Sequence, residues 1–141
     1  MGQRRRGPGD DHRSDARERA LSLLYEAETK GITPRAVVKG QIADPDPITV
    51  MICEGVEDHA DEVDQLITAH AKGWSLQRMP SIDRAVLRMA IFELMGRTDV
   101  PIAVVIDEAV ELAKRFSTDD SGRFVNGMLS AIAPKLRPPA A

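Results

Sequence analysis

Apolar residues recur along this chain at helical spacing. Ala20, Leu21, Leu24 and Ala27 form the first stripe, at i, i+1, i+4 and i+7. The stripe predicts an amphipathic helix opening near Ser14, a capping residue type. Asp15 and Glu18 would then lie in its first turn, where the helix dipole favours acids. Gly31 stands where this helix needs a C-terminal cap. Thr33-Pro34 and Asp46-Pro47 each pair a capping side chain with proline at the first helical position. The first pair opens a short helix ending before Pro45. The second opens a longer run to about Lys72, with Ile52, Val56, Val63, Leu66, Ile67 and His70 on its apolar side. Gly55 and the acidic stretch 54–64 are where that run is expected to loosen or bend, and Gly73 ends it. Trp74 to Met79 predicts a connector of one helical turn, stopped by Pro80.

Ser81 is expected to cap the next helix. Its Ile82, Val86, Leu87, Met89, Ala90, Ile91, Leu94 and Met95 cover most of the circumference, so it should be central and buried. Asp99-Val100-Pro101 breaks the chain. Ile102, Ile106, Ala109, Val110, Ala113 and Phe116 then line the inner side of a helix that exposes Asp107, Glu108, Glu111 and Lys114. The run Ile102 to Ile106 would suit a strand in isolation, but the helical spacing continues to Phe116. Ser117 to Ser121 supplies caps for a last helix, with Phe124, Val125, Met128, Leu129 and Ile132 inside and a stop at Pro134. No stretch alternates with period two between hairpin turns. The pattern defines an all-α protein of about seven helices. One helical domain spans 14–134, between a flexible arginine-containing tail at 1–13 and a frayed end at 135–141.

Composition narrows the function classes. The 141 residues hold 22 acids against 19 bases, a net charge of −3. That balance argues against a protein that coats nucleic acid by bulk charge. The single cysteine, Cys53, excludes an intramolecular disulfide framework and fits a reducing, cytoplasmic setting. No apolar run approaches the ~20 residues that span a bilayer. The N-terminal arginines lack the apolar segment of a secretory signal.

The average hides an uneven distribution. Arg4, Arg5, Arg6, Arg13, Arg17 and Arg19 outnumber the acids of residues 1–19. Residues 54–64 carry acids and no base, and residues 121–141 carry bases and no acid. The ends are basic and the middle acidic, which marks the ends as places for an anionic partner.

Enzyme chemistry finds little support. GxxxxGK[ST], GxGxxG and HExxH are all missing. His59, His70 and Glu62 sketch a metal site without the tight i, i+4 ligand pair that zinc sites use, so no metal or cofactor is expected. Cys53 lies on an apolar helix side and reads as an inert buried thiol. The Asp61, Glu62 and Asp64 cluster reads as a solvated helix face.

Three segments carry binding chemistry. Arg13 and Arg17 are four residues apart and should project from one face at a helix start, where free N–H groups attract phosphate. Around Asp120, Arg123 and Phe124, a second helix start sets a cation beside an aromatic, a pairing that suits single-stranded RNA. Asn126-Gly127 inside that helix costs roughly 1 kcal/mol against alanine, and a close helix crossing would compensate. Ile82-Asp83-Arg84 should mark where the central helix emerges, a rim able to select a protein partner.

Together these segments resemble the NusB family of transcription antitermination factors, in an actinobacterial-like form. The anchors are ARERALSLLYEAE (16–28), SIDRAVLRMAIFEL (81–94), VPIAVVIDEAVELAKRFS (100–117) and DSGRFVNGML (120–129), in order and at matching spacings. The resemblance implies two three-helix bundles packed at a steep angle and no catalysis. It implies binding of boxA in nascent ribosomal RNA, jointly with the small-subunit ribosomal protein that acts as NusE. Other Nus factors and RNA polymerase join indirectly. By the same resemblance Arg13, Arg17, Asp120, Arg123 and Phe124 face RNA. Tyr25 and Asp83 face NusE, and Arg84 belongs with them. Ser14 and Asp15 stand where the family often has arginine, and Asp107 where it often has asparagine. Two alternatives stay open: a helical adaptor that binds only proteins, and a stand-alone copy of the RNA-binding domain of ribosomal RNA cytosine methyltransferases. Monomer and homodimer both stay open.

Overall fold

The computed structural model describes residues 8–139, with side chains from His12 onward. These form α1 (Pro8–Lys30), α2 (Pro34–Lys39), α3 (Pro47–Asp58), α4 (Ala60–His70), a 3-10 turn (Leu76–Arg78), α5 (Ser81–Gly96), α6 (Ile102–Phe116) and α7 (Asp119–Leu136). No strand occurs among the described residues. Helices α1, α2 and α3 pack on one another, and so do α5, α6 and α7. Helix α4 lies against α5 and α7. The all-α class with seven helices therefore matches the sequence reading. Arg4, Arg5 and Arg6 lie outside the described residues.

The caps explain most of the helix starts. The Thr33 hydroxyl accepts the Ala36 N–H at 3.1 Å, and the Asp46 carboxylate accepts the Ile48 N–H at 2.8 Å. Thr118 opens α7 by accepting the Ser121 N–H at 2.9 Å. Gly31 and Gly73 both adopt positive φ, at 66° and 77°, the conformation that lets a chain turn off a helix without a Cβ clash.

The α1–α3 contact shows how small residues set a close approach. Ala16 and Ala20 are buried in α1. From α3, the Thr49 hydroxyl donates to the Ala16 carbonyl at 2.9 Å, and Cys53 Sγ reaches the Ala20 carbonyl at 3.9 Å. Both pairs are one helical turn apart, so a single register satisfies both. Burial pushes the Cys53 thiol up to about 12, and nearby Glu54 adds to the rise against Arg19. The thiol therefore stays protonated and unreactive near neutral pH.

Several local expectations are corrected. The α1 helix begins at Pro8, so Ser14 is an interior residue and not a cap. The run from Pro47 is two helices, and the break falls at His59, inside the acidic stretch expected to bend and not at Gly55 itself. Gly55 has another role: a Cβ there would collide with the Phe92 ring, which tucks onto the bare backbone. His59 stacks on the same ring, with centroids 5.9 Å apart. Ser81 does not cap α5, which starts after Pro80 without a side-chain cap. Phe116 is 43% exposed, whereas Glu108 is buried, the reverse of the expected pattern. Asn126 and Gly127 are exposed, and a Cβ at Gly127 would meet nothing, so no helix crosses there.

Helix α7 also passes Pro134 and ends at Leu136. Proline removes one N–H from the helix ladder. Arg137 then anchors the segment expected to fray. Its guanidinium donates to the carbonyls of Glu93 (3.1 Å), Leu94 (2.9 Å), Arg97 (2.8 Å) and Val100 (2.5 Å). Those of Glu93 and Leu94 lie in the last turn of α5, where a helix leaves carbonyls to be satisfied from outside.

Candidate functional site

In the second and third turns of α1, away from the helix start expected for them, the two predicted arginines part company. Arg13 is exposed, while Arg17 is only 2% exposed. Arg17 donates from Nε and Nη2 to the two Glu93 carboxylate oxygens at 2.8 and 2.9 Å, a bidentate pair. Arg97 donates to the same carboxylate at 3.2 Å. Ser14 donates to Glu108 at 2.5 Å, and Arg17 Nη1 lies 3.9 Å from that carboxylate. Among the described residues, Arg17 and Arg97 meet Glu93, and Ser14 and Arg17 approach Glu108, a buried cluster tying α1 to α5 and α6. Arg17 is therefore not on the surface with Arg13. Spacing places them on one side of α1, but the packing of α5 and α6 covers Arg17 and leaves Arg13 exposed.

The start of α5 is also internal. Asp83 is 3% exposed and Arg84 is 8% exposed, so neither forms the polar rim expected of them. Arg84 holds two elements together. Its guanidinium donates to the Leu76 and Met79 carbonyls, each at 2.9 Å, and pairs with Glu28 of α1. Burial alone would raise the Glu28 pKa, but the Arg84 hydrogen bond and the charges of Arg84 and Arg88 outweigh it, and the net direction is down. Arg84 thus fixes the connector between α4 and α5. Asp83 Oδ1 is buried without a hydrogen-bond partner among the described residues.

The start of α7 remains open. Asp120 and Arg123 are exposed and pair with each other, and the Arg123 side chain is 74% exposed. Phe124 is half-buried and packs on the core. Its outer neighbour is Trp74, whose ring centroid lies 5.5 Å away at an interplanar angle of 38°.

A groove runs between α1, α5 and the end of α6. Asp15, Glu18, Leu21, Tyr25, Ile82 and Phe116 are among its lining residues. Tyr25 is 45% exposed. Arg115 lies over the Phe116 ring, 4.9 Å from its centroid, and bonds Glu18 at 2.9 Å. Sequence reading placed Tyr25 here by resemblance but missed Phe116, because helical periodicity counts it as core.

His59 and His70 are engaged locally. His59 Nδ1 lies 3.7 Å from Glu62, and His70 Nδ1 lies 2.8 Å from the Leu66 carbonyl. No group of three or more metal-ligating side chains comes together among the described residues.

An all-helical domain with an open polar start to α7 and an apolar groove is the kind of scaffold that recognises partners through its surface. The pattern of the NusB family matches residues 14–134, and the chain belongs to that family. NusB from T. maritima superposes with a TM-score of 0.81 at 34% identity, covering 89% of this chain and 93% of that one. NusB from Aquifex aeolicus gives a TM-score of 0.71 at 29% identity, over 92% of this chain and 93% of that one. A crystal structure of the antitermination factors NusB and NusE in complex with double-stranded RNA gives 0.75 at 26% identity, over 89% and 98%. The protein is thus a NusB-type antitermination factor in fold and family. No described helix is long and apolar enough to cross a membrane.

Proposed function

We propose that this chain is a non-enzymatic, cytoplasmic RNA-binding factor. It binds boxA of nascent ribosomal RNA together with the ribosomal protein acting as NusE. With the other Nus factors it thereby suppresses premature termination by RNA polymerase. The observation that carries the reading is the open start of α7, where exposed Arg123 adjoins half-buried Phe124. A cation for the backbone next to an aromatic for a base is the pairing that single-stranded RNA uses. Exposed Arg13 adds a second phosphate contact from α1. Asp120 orients Arg123. Arg17 acts from inside, by holding α1 in place.

NusE takes the groove in this reading. Tyr25 and Phe116 offer it apolar surface, while Asp83 lies buried behind the groove and makes no direct contact in this reading. Arg84 supports that side by fixing Glu28 and the connector. The known relation of NusB and NusE to double-stranded RNA in one superposable complex supports a shared nucleic-acid role.

The test is a gel shift at fixed salt with a boxA oligonucleotide and NusE. Arg123→Glu combined with Phe124→Ala is expected to weaken binding at least tenfold while circular dichroism stays native. Unchanged affinity would remove the α7 start from the RNA surface. No RNA binding by the unaltered protein, with or without NusE, would favour the protein-only adaptor.

A further inference from the structure

Trp74 is the only tryptophan of the chain, and it is 50% exposed. It is also firmly held. Gly73 turns the backbone off α4 at φ 77°, and the Trp74 N–H donates to the Ala71 carbonyl at 3.1 Å. Beyond it, Arg84 grips the Leu76 and Met79 carbonyls. Phe124 flanks the indole at 5.5 Å between centroids. The backbone around Trp74 is thus held by its turn and by Arg84, and Phe124 backs the indole, so a large apolar ring is presented at the surface. Along the connector itself, residues 71–82 contain Lys72 and Arg78, both exposed, and no acid, while the α7 start beside Phe124 carries Asp120 paired with Arg123.

We propose that Trp74 and Phe124 form one aromatic platform, and that an unpaired RNA base stacks on the exposed part of the Trp74 indole. The inference rests on the reading that the start of α7 binds single-stranded RNA. It extends that surface from α7 to the connector before α5. Aromatic stacking accepts any base, because every base has a π-face. The platform therefore adds affinity and fixes the path of the strand, and sequence selection lies elsewhere. A protein loop would want apolar neighbours around the indole, and the flanking lysine and arginine suit a phosphate backbone better.

Because the chain has one tryptophan, its fluorescence reports on this position alone. The intact protein is titrated with single-stranded boxA RNA, alone and with NusE whose own tryptophans, if any, are replaced by phenylalanine. RNA is expected to quench Trp74 emission in step with binding measured by gel shift. Trp74→Ala is expected to weaken RNA binding roughly tenfold. Native circular dichroism and unchanged NusE binding should accompany that loss. Trp74→Phe, which keeps a stacking ring, should recover most of the loss and serves if the alanine variant misfolds. RNA binding without quenching, with Trp74→Phe or Trp74→Ala binding like the parent, overturns the platform and leaves the α7 surface standing. Quenching by NusE alone, with no further change on adding RNA, also overturns it and makes Trp74 a protein contact. Failure of the parent protein to bind RNA at all removes the earlier reading and the platform with it.

Discussion

Arg17 shows how one residue type can serve two ends of a surface. Arg13 and Arg17 share a helix side, yet one meets water and the other meets Glu93. Removing one member of a buried ion pair strands its partner, at a cost of about 3–5 kcal/mol. Arg17→Met is therefore expected to lose about that much stability in urea denaturation. Arg17→Met with Glu93→Leu should recover only part of it, because Arg97 then loses its Glu93 partner. A single mutant that loses under 1 kcal/mol would contradict the buried pair. The sequence contained a signal for this cluster: Glu93 interrupts the most apolar helix of the chain. A charge in such a place requires a buried partner, but the partner lies 76 positions away. No local pattern could name it. Arg84 was misjudged for the same reason, since its partners lie on α1 and the connector.

At the scale of elements, the starts marked by Thr33-Pro34 and Asp46-Pro47 were legible because capping is local chemistry. The breaks set by tertiary contacts were not. Gly55 looks like a bend in the sequence but is the seat of the Phe92 ring, while the chain breaks four residues later at His59. Gly127 looks like a crossing point but faces solvent. These two glycines give opposite expectations for one substitution. Gly127→Ala should stabilise by up to about 1 kcal/mol, the difference in helix propensity. Gly55→Ala should destabilise by about 1–3 kcal/mol, the usual cost of overpacking. Thermal melting of both variants checks the pair. Equal shifts of the same sign would contradict the assignment of either glycine.

For the whole molecule, the net charge of −3 first seems to argue against RNA. The fold gathers part of the acidic charge away from Arg13 and Arg123, although Asp120 stays paired with Arg123. The acids Glu54, Glu57 and Asp58 gather around Arg35 on α2 and α3, where the Arg35 hydrogen bond holds the Asp58 carboxyl below its usual range. Arg13 and Arg123 occupy the helices α1 and α7 instead. Periodicity made the helix count legible, and four ordered segments made the family legible. The Trp74–Phe124 contact was not, because it joins a connector to a helix 50 positions later. A weakly charged surface should bind RNA indiscriminately only poorly, so the account requires selectivity with the partner present. Its most direct test is competition between boxA RNA and a scrambled RNA of equal length, at one salt concentration, with NusE bound. The account predicts at least tenfold tighter binding of boxA, and less preference when NusE is withheld. Equal affinity for the two RNAs in the presence of NusE would contradict it.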